Sequence, residues 1–478
     1  MKRIFSIILA LLMICLSLAS CSSDGDDASG ASDSSVITNS EDVSGLTIEN
    51  LGDAEGNPRE FTIMTRDTRD YYIYATEESL SAGRVEQETY KRNSEIESLY
   101  NIKFNVHQAG AHNAEAEWMN KLLAATGEYD LCTPQAWWKF HNSGVFYDIG
   151  AMPEIDLSEG HWYQGWNDEV TLNGKLFGVT GDATLEAYEC MMVIFFNKTI
   201  TNSHHLDMYE LVDTGKWTGD KLIELGIQMS SGLDDDNANN DIWGMIGGLY
   251  TRRALLSGFG LQVAEKTSDG VINLIPDKEK VLAITDKVSD VIRSDAYSGS
   301  NDSERGDDYP SKFIAGKSVF LGACLWNGTQ IKAGMTTGDY GIVPMPTYAE
   351  GDSYRSHIYN ITYFAVPLSV KDVHASALIL NALNYLSKDT IVNGFYDNVC
   401  KGQMAGSPDD VRMMDLCRDS ISNDFAFTNV ASAGKGMDLW LLIDNAVYSG
   451  SGVATAINTA NVLRNYQEVE KILEAYYD

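Results

Sequence analysis

From Glu60 onward the chain alternates short apolar runs with longer amphipathic runs of helical period. Residues 61–64 (FTIM) read as a strand. Arg84–Tyr100 follows as a polar-rich helix, with Val85, Ile96 and Leu99 turned inward. Residues 102–107 (IKFNVH) alternate with the period of two that a strand requires. Residues 113–126 predict an amphipathic helix with Trp118, Leu122 and Leu123 on one face, and Gly127 marks its end. Residues 129–132 are a third strand. Strand–helix–strand order repeated in this way predicts a parallel sheet with helices on both faces, an α/β fold. The alternation continues: a strand at 193–196, a helix over Gly219–Met229 with Thr218 as N-cap, and a helix over 278–293. Strands follow at 318–321, Tyr340–Val343 and 363–366, then a strongly apolar helix at 373–386. The last third is mostly helical and closes on a helix at 465–477.

Size divides this pattern in two. The chain has 478 residues, and a single hydrophobic core stops growing at roughly 250–300. Two lobes are therefore expected. Lys and Arg number 35 against 68 Asp and Glu, a formal charge of −33. Nucleic acid and anionic membrane surfaces both select for basic patches, so this balance excludes them as partners of the folded body.

The N-terminus reads as an address. Lys2 and Arg3 precede the apolar run 4–18, which is shorter than the roughly 20 residues of a membrane span and has the layout of a signal peptide. It ends on Leu18-Ala19-Ser20-Cys21, which resembles a bacterial lipobox. The resemblance implies cleavage after residue 20 and a diacylglycerol on Cys21. Residues 22–45 are rich in Ser, Gly and Asp, carry no Lys or Arg, and read as a disordered tether. Cys132, Cys190, Cys324, Cys400 and Cys417 remain; they are widely spaced and odd in number, so they form no disulfide framework and no CxxC metal site. One bridge, Cys400–Cys417, is left open.

Short motifs then appear in a fixed order: Gly127-Glu128-Tyr129-Asp130, the run 144–149 (GVFYDI), 173–179 (NGKLFGV), 195–198 (FFNK), Lys216-Trp217-Thr218, 313–318 (FIAGKS) and 341–346 (GIVPMP). Thr180 stands where a proline is usual. In order and spacing they resemble the bacterial extracellular solute-binding proteins of the maltose-binding-like class, family 1, the receptor components of ABC importers. The stretch 396–425, with Lys401, Asp409-Asp410 and 413–416 (MMDL), resembles a clostridial-type branch of that family. The resemblance implies a periplasmic-binding-protein-like fold: two α/β lobes joined by a hinge and closing on a ligand. Lobe I is expected to comprise 58–185 with about 355–388, and lobe II 186–354 with about 389–478, after a signal peptide at 1–20 and a tether at 21–57. Crossings are expected near 180–189, near 348–357 and after Ser387.

Ligands of open α/β sheets bind beyond the carboxyl ends of strands. Trp137 and Trp138 follow the third strand there, and Arg66, Asp67 and Arg69 follow the first. Trp326 and Asn327 follow the 318–321 strand, and family members often place a cleft tryptophan at this point. Glu186, Tyr188 and Glu189 lie at the first crossing; Tyr359, Asn360 and Tyr363 lie near the second. Arg252 or Arg253 facing the cleft would suit an anionic ligand. The acidic run 234–241 fails the calcium-loop pattern, with no Gly at its sixth place and no Glu at its twelfth. The eight His form no spaced ligand set. GxSxG is missing, and Ser432-Ala433-Gly434-Lys435 stands without the SDN and KTG that accompany SxxK.

The expected function is therefore a receptor and not an enzyme, with no cofactor. It captures a small solute, a mono- or oligosaccharide, and hands it to ABC permease subunits. It sits as a monomer on the outer face of the cell membrane, held only by its lipid. A carbohydrate-active enzyme using paired carboxylates, or an envelope sensor keeping the fold, are the alternatives.

Overall fold

The computed structural model describes residues 43–65, 71–108, 115–134, 143–233, 241–268, 270–299, 309–336, 338–359, 361–422, 424–428 and 438–477. Strand β1 (Arg59–Thr65) is the centre of a three-stranded sheet, with β2 (Ile102–Gln108) and β3 (Leu131–Cys132) parallel to it on either side. Phe61 lies opposite Phe104, and Ile63 lies between Val106 and Leu131. From Phe61 to Thr65 every β1 residue is buried, because helices cover both faces of the sheet. The strand expected at 363–366 appears as antiparallel bridges that widen this sheet: Ala365 to Cys132, Phe364 to Val179 and Pro367 to Phe146.

Two helices beside this sheet differ from expectation. Arg84–Tyr100 buries Val85 and Ile96 as anticipated, but also Glu88, Thr89, Arg92 and Asn93, while Leu99 is only half-buried. Its inner face meets the helix Val373–Ser387, not only the sheet. The Arg92 guanidinium donates there to Ser387 Oγ at 2.8 Å, Ile73 O at 2.9 Å and Asn93 Oδ1 at 2.7 Å. A guanidinium supplied with acceptors in this way can be buried. The helix Glu115–Leu123 is shorter than 113–126, and Leu123 is 61% exposed. One residue is about 100° of helical turn, so Leu123 leaves the stripe that Trp118 and Leu122 form.

The second sheet has the order β10-β4-β9-β5-β8. Its strands are β4 (Met192–Asn197), β5 (Trp243–Ile246), β8 (Tyr297–Ser298), β9 (Ser318–Cys324) and β10 (Tyr340–Val343); β6 (Ala264–Lys266) and β7 (Ile272–Leu274) form a separate antiparallel pair. Here the parallel expectation holds only in part. β5 runs parallel to β8 and β9, but β4 is antiparallel to both β9 and β10. β4 enters from the first sheet at the end where β9 finishes, Met192 opposite Cys324, so its direction is fixed by the crossing. The helix Gly219–Met229 stands where its signals place it, with Thr218 Oγ1 accepting from Lys221 N at 3.2 Å. Ahead of it Trp217 is fully buried and donates Nε1–H to Pro344 O at 2.8 Å.

The backbone leaves the first sheet after Val179, turns once at Glu186–Glu189 and enters β4. It returns after β10, where Ile358 bridges Met191 and Phe364 bridges Val179. The Val373–Ser387 helix packs on Arg84–Tyr100 and runs straight into a π-helix, Lys388–Met404. That π-helix touches Arg84–Tyr100 on one side and the helices Asn327–Gly334 and Pro408–Asp419 on the other. All of this belongs to one compact unit, Ser44–Asp478. Cys132, Cys190, Cys324, Cys400 and Cys417 are all free and buried, so the bridge left open between Cys400 and Cys417 does not form; burial pushes the Cys417 thiol up to about 12.

Candidate functional site

β5 and β9 point their carboxyl ends toward the crossing segments, and the backbone laces the three together. Leu325 N donates to Met191 O at 2.8 Å, Trp326 N donates to Glu189 O at 3.3 Å, and Met191 bridges Ile358. Glu189, Trp326, Asn327 and Tyr359, read from distant parts of the sequence, therefore gather at one place.

Their side chains divide into an aromatic and a polar group. Trp326 is half-buried against the core of the second sheet, and so are Tyr250 and Tyr359. Tyr250 and Tyr359 stack with centroids 4.2 Å apart and planes inclined at 26°. Glu189 is 8% exposed and its Oε1 accepts a short hydrogen bond from the Tyr71 hydroxyl. Among the described residues, Trp326 Nε1 and Asn327 Oδ1 are buried without a hydrogen-bond partner, and so is Thr133 Oγ1 just past β3. Buried polar atoms are normally satisfied. The unpaired Trp326 Nε1 donor and the unpaired Asn327 Oδ1 acceptor suit a ligand bearing hydroxyls, which both donate and accept. Behind them His357 is buried; desolvation, with Arg253 nearby, pushes it down to about 3, so the imidazole is neutral. Its Nδ1 lies 3.1 Å from Ser257 Oγ.

Other expected residues fall elsewhere. Arg66, Asp67, Arg69, Trp137, Trp138, Asn360, the lipobox cysteine Cys21 and most of the acidic run lie outside the described residues. Arg252 lies in the interior. It is 2% exposed, and its Nε donates to Asp444 Oδ1 at 2.7 Å while its guanidinium lies 4.9 Å from the Tyr448 ring centre. A guanidinium engaged by a buried carboxylate and a ring face packs in the core of the second sheet. Arg253 shares the same carboxylate at 3.0 Å. Tyr188 turns away from Glu189, toward Tyr163 and Tyr396. Tyr363 is 1% exposed.

Sequence reasoning missed Tyr250 and Tyr71. Tyr250 had a signal: it lies four residues past the end of β5, as Trp326 lies two past the end of β9, and the same strand-end rule covers both. Tyr71 lies six residues past β1, too far for that rule. Among the described residues no group of three or more His, Cys, Asp or Glu is placed to hold a metal ion.

No protein-family model and no curated protein matches the sequence. Solved structures do match its fold. The GacH receptor of Streptomyces glaucescens, solved unliganded and with acarbose, is 16% identical, with 87% of this chain and 99% of that one covered and a TM-score of 0.55. The sugar-binding protein MalE of Xanthomonas citri is 12% identical over 87% and 98% of the chains, with a TM-score of 0.58. A sugar transporter protein of Rhizobium etli, in an open conformation, is 14% identical over 87% and 98%, with a TM-score of 0.56. What is shared at such identities is architecture, and on that architecture this chain has the two-lobe α/β fold of the maltose-binding-like, sugar-binding proteins of ABC transporters.

Proposed function

We propose that this chain is an extracellular receptor that binds a carbohydrate between its two lobes and delivers it to an ABC permease. Lobe I is formed by 58–185 with about 355–388 and lobe II by 186–354 with about 389–478. The observation that carries the reading is the cluster at the crossing: Trp326 and the Tyr250–Tyr359 stack with unpaired Trp326 Nε1 and Asn327 Oδ1. Aromatic faces take the C–H faces of a sugar ring, and unpaired donors and acceptors take its hydroxyls. The solved neighbours include proteins bound to maltotetraose and to maltose, which makes maltooligosaccharides the first compounds to test.

Calorimetry with maltose and maltotetraose is the direct test. Trp326→Ala is expected to weaken the bound sugar at least tenfold, about 1.4 kcal/mol, with the fold intact by circular dichroism. If Trp326→Ala instead costs stability and spares affinity, the residue is only core and the stacking idea is wrong. The same sugar is expected to reduce the radius of gyration in solution scattering, because it contacts both lobes. A tightly bound sugar with an unchanged scattering curve would remove the hinged-receptor reading.

The lipid anchor belongs to the same proposal. Cys21→Ser is expected to block cleavage by the lipoprotein peptidase or to release the protein from the membrane. Normal processing with full membrane retention would falsify the anchor.

A further inference from the structure

A cavity of about 690 Å³ has none of Glu189, Trp326, Asn327, Tyr250 or Tyr359 in its wall. Its walls come from both halves of the fold. Trp166 and Glu169 stand on the helix Gln164–Val170, tied to the first sheet's edge by Asn167, whose Nδ2 donates to Thr180 O at 2.9 Å. Arg418 and Asp419 end the helix Pro408–Asp419, which packs on β10 of the second sheet. Tyr188, on the crossing turn, and Tyr396, on the π-helix, close the remaining side, with ring centroids 5.1 Å apart.

The wall is electronegative. Its two basic residues are Lys388 and Arg418, and Arg418 is engaged by Asp419 at 2.8 Å. Asp397 pairs with Lys401 at 3.1 Å. Glu169, Asp182 and Asp389 remain, with Lys388 on the wall and Lys266 beside Glu169. Burial pushes the Glu169 carboxyl up to about 7, with Lys266 opposing and Asp424 and Asp168 adding to the rise; burial likewise pushes Asp182 up to about 7, with the Tyr163 hydroxyl and Lys388 opposing and Asp389 adding to the rise. A cation brought to this wall would draw both carboxyls toward their charged forms. The aromatic side already gathers cations from the chain itself: Lys401 Nζ lies 4.7 Å and the Arg418 guanidinium 5.3 Å from the Tyr396 ring centre.

Two buried polar atoms of wall residues have no partner among the described residues. Trp166 is 6% exposed, and its buried Nε1–H donates to nothing; the buried Glu169 Oε2 accepts from nothing. The first calls for an acceptor on a ligand and the second for an N–H or O–H. Cavities of this volume take small organic molecules.

We propose that this cavity is a second ligand site, for a small hydroxylated amine of amino-sugar size, distinct from the carbohydrate site at Trp326. The ammonium lies against Glu169 and the tyrosine faces, and a hydroxyl oxygen accepts from Trp166 Nε1. Because the walls come from both lobes and from the turn between them, occupancy shifts the same opening and closing that the carbohydrate uses, and each ligand changes the affinity of the other by an equal factor.

Calorimetry on the full chain with glucosamine tests this, with glucose as the uncharged control and putrescine as the control without hydroxyls. Glucosamine is expected to bind at least tenfold tighter than either control. Glu169→Gln and Trp166→Phe are each expected to weaken it at least tenfold. Trp326→Ala, which is not in the cavity wall, is expected to leave the intrinsic glucosamine site in place. Absence of glucosamine heat, equal binding of glucose, or binding that Glu169→Gln leaves unchanged overturns the proposal. If glucosamine binding is lost only in Trp326→Ala, the amine occupies the carbohydrate site and the second site does not exist. Failure of maltose and maltotetraose to bind bears on the carbohydrate reading alone.

Discussion

Asp444→Ala is expected to lower the stability of the second lobe by about 3–5 kcal/mol, the loss typical of breaking a buried ion pair from one side. Asp444 is fully buried and receives Arg252 Nε at 2.7 Å and Arg253 Nε at 3.0 Å. Removing the carboxylate takes the ion-pair partner from Arg252, whose side chain is only 2% exposed. Arg253 is more accessible and can turn toward water. Urea unfolding followed by tryptophan fluorescence reports the change as a lower midpoint at an unchanged slope; Trp440 lies 5.7 Å from the Arg253 guanidinium and senses the region directly. The double change Arg252→Met with Asp444→Leu is expected to recover most of the loss, because apolar replacement of both partners removes the unpaired charge. The same variants decide the role of Arg252. Arg252→Met should lose stability and spare ligand affinity. Full stability with lost affinity would return Arg252 to the binding site.

Asp410→Ala carries the second large effect, again about 3–5 kcal/mol. Asp410 is completely buried and accepts five hydrogen bonds. Oδ1 takes the Tyr209 hydroxyl at 2.5 Å and Ile342 N at 2.9 Å; Oδ2 takes Lys198 Nζ at 3.0 Å, Gly406 N at 3.1 Å and Ser407 Oγ at 2.9 Å. The carboxylate holds the start of the Pro408–Asp419 helix against β10 and against Lys198. Alanine takes the nearer carboxylate from Lys198, leaving it Asp339 at 3.9 Å, and removes the acceptor of two backbone amides. Asp410→Asn is expected to lose less, since one oxygen still accepts while the new NH₂ faces donors. The measurement is again the urea midpoint. An Asp410→Ala protein as stable as the parent would show that the five contacts are made equally well by water in its place.

Much of the architecture was legible because it is locally encoded. The Gly219–Met229 helix agrees with its sequence limits at both ends, since Thr218 caps it and its apolar residues recur at helical spacing. β10 agrees for a similar reason: four apolar or small residues bounded by Asp339 and Pro344. Arg84–Tyr100 was found as a helix, but its inner face was not. Nothing in the sequence shows that Ser387, nearly three hundred residues on, supplies an acceptor for Arg92. The same limit explains Arg252. From the sequence it is an arginine after a glycine-rich strand end, and only its distance to Asp444 makes it a core residue.

The candidate site divides along the same line. Trp326, Asn327 and Glu189 were reached from the sequence because a strand end and a crossing are local signatures, and family-like motifs placed both in order. That Trp326 N bonds Glu189 O, and that Tyr359 stacks on Tyr250, could not be read, since those contacts join segments more than a hundred residues apart. By itself the sequence determined the alternating elements, the two-lobe size and the acidic charge balance, all fixed by short-range period, capping and composition. Only the tertiary structure decided the strand order β10-β4-β9-β5-β8, the antiparallel entry of β4, the burial of Arg92, Arg252 and Asp410, and the cavity shared by both halves. Each of these depends on which distant groups pack together, and the energy of a buried charge is set by the partner it meets there and not by its neighbours in the chain.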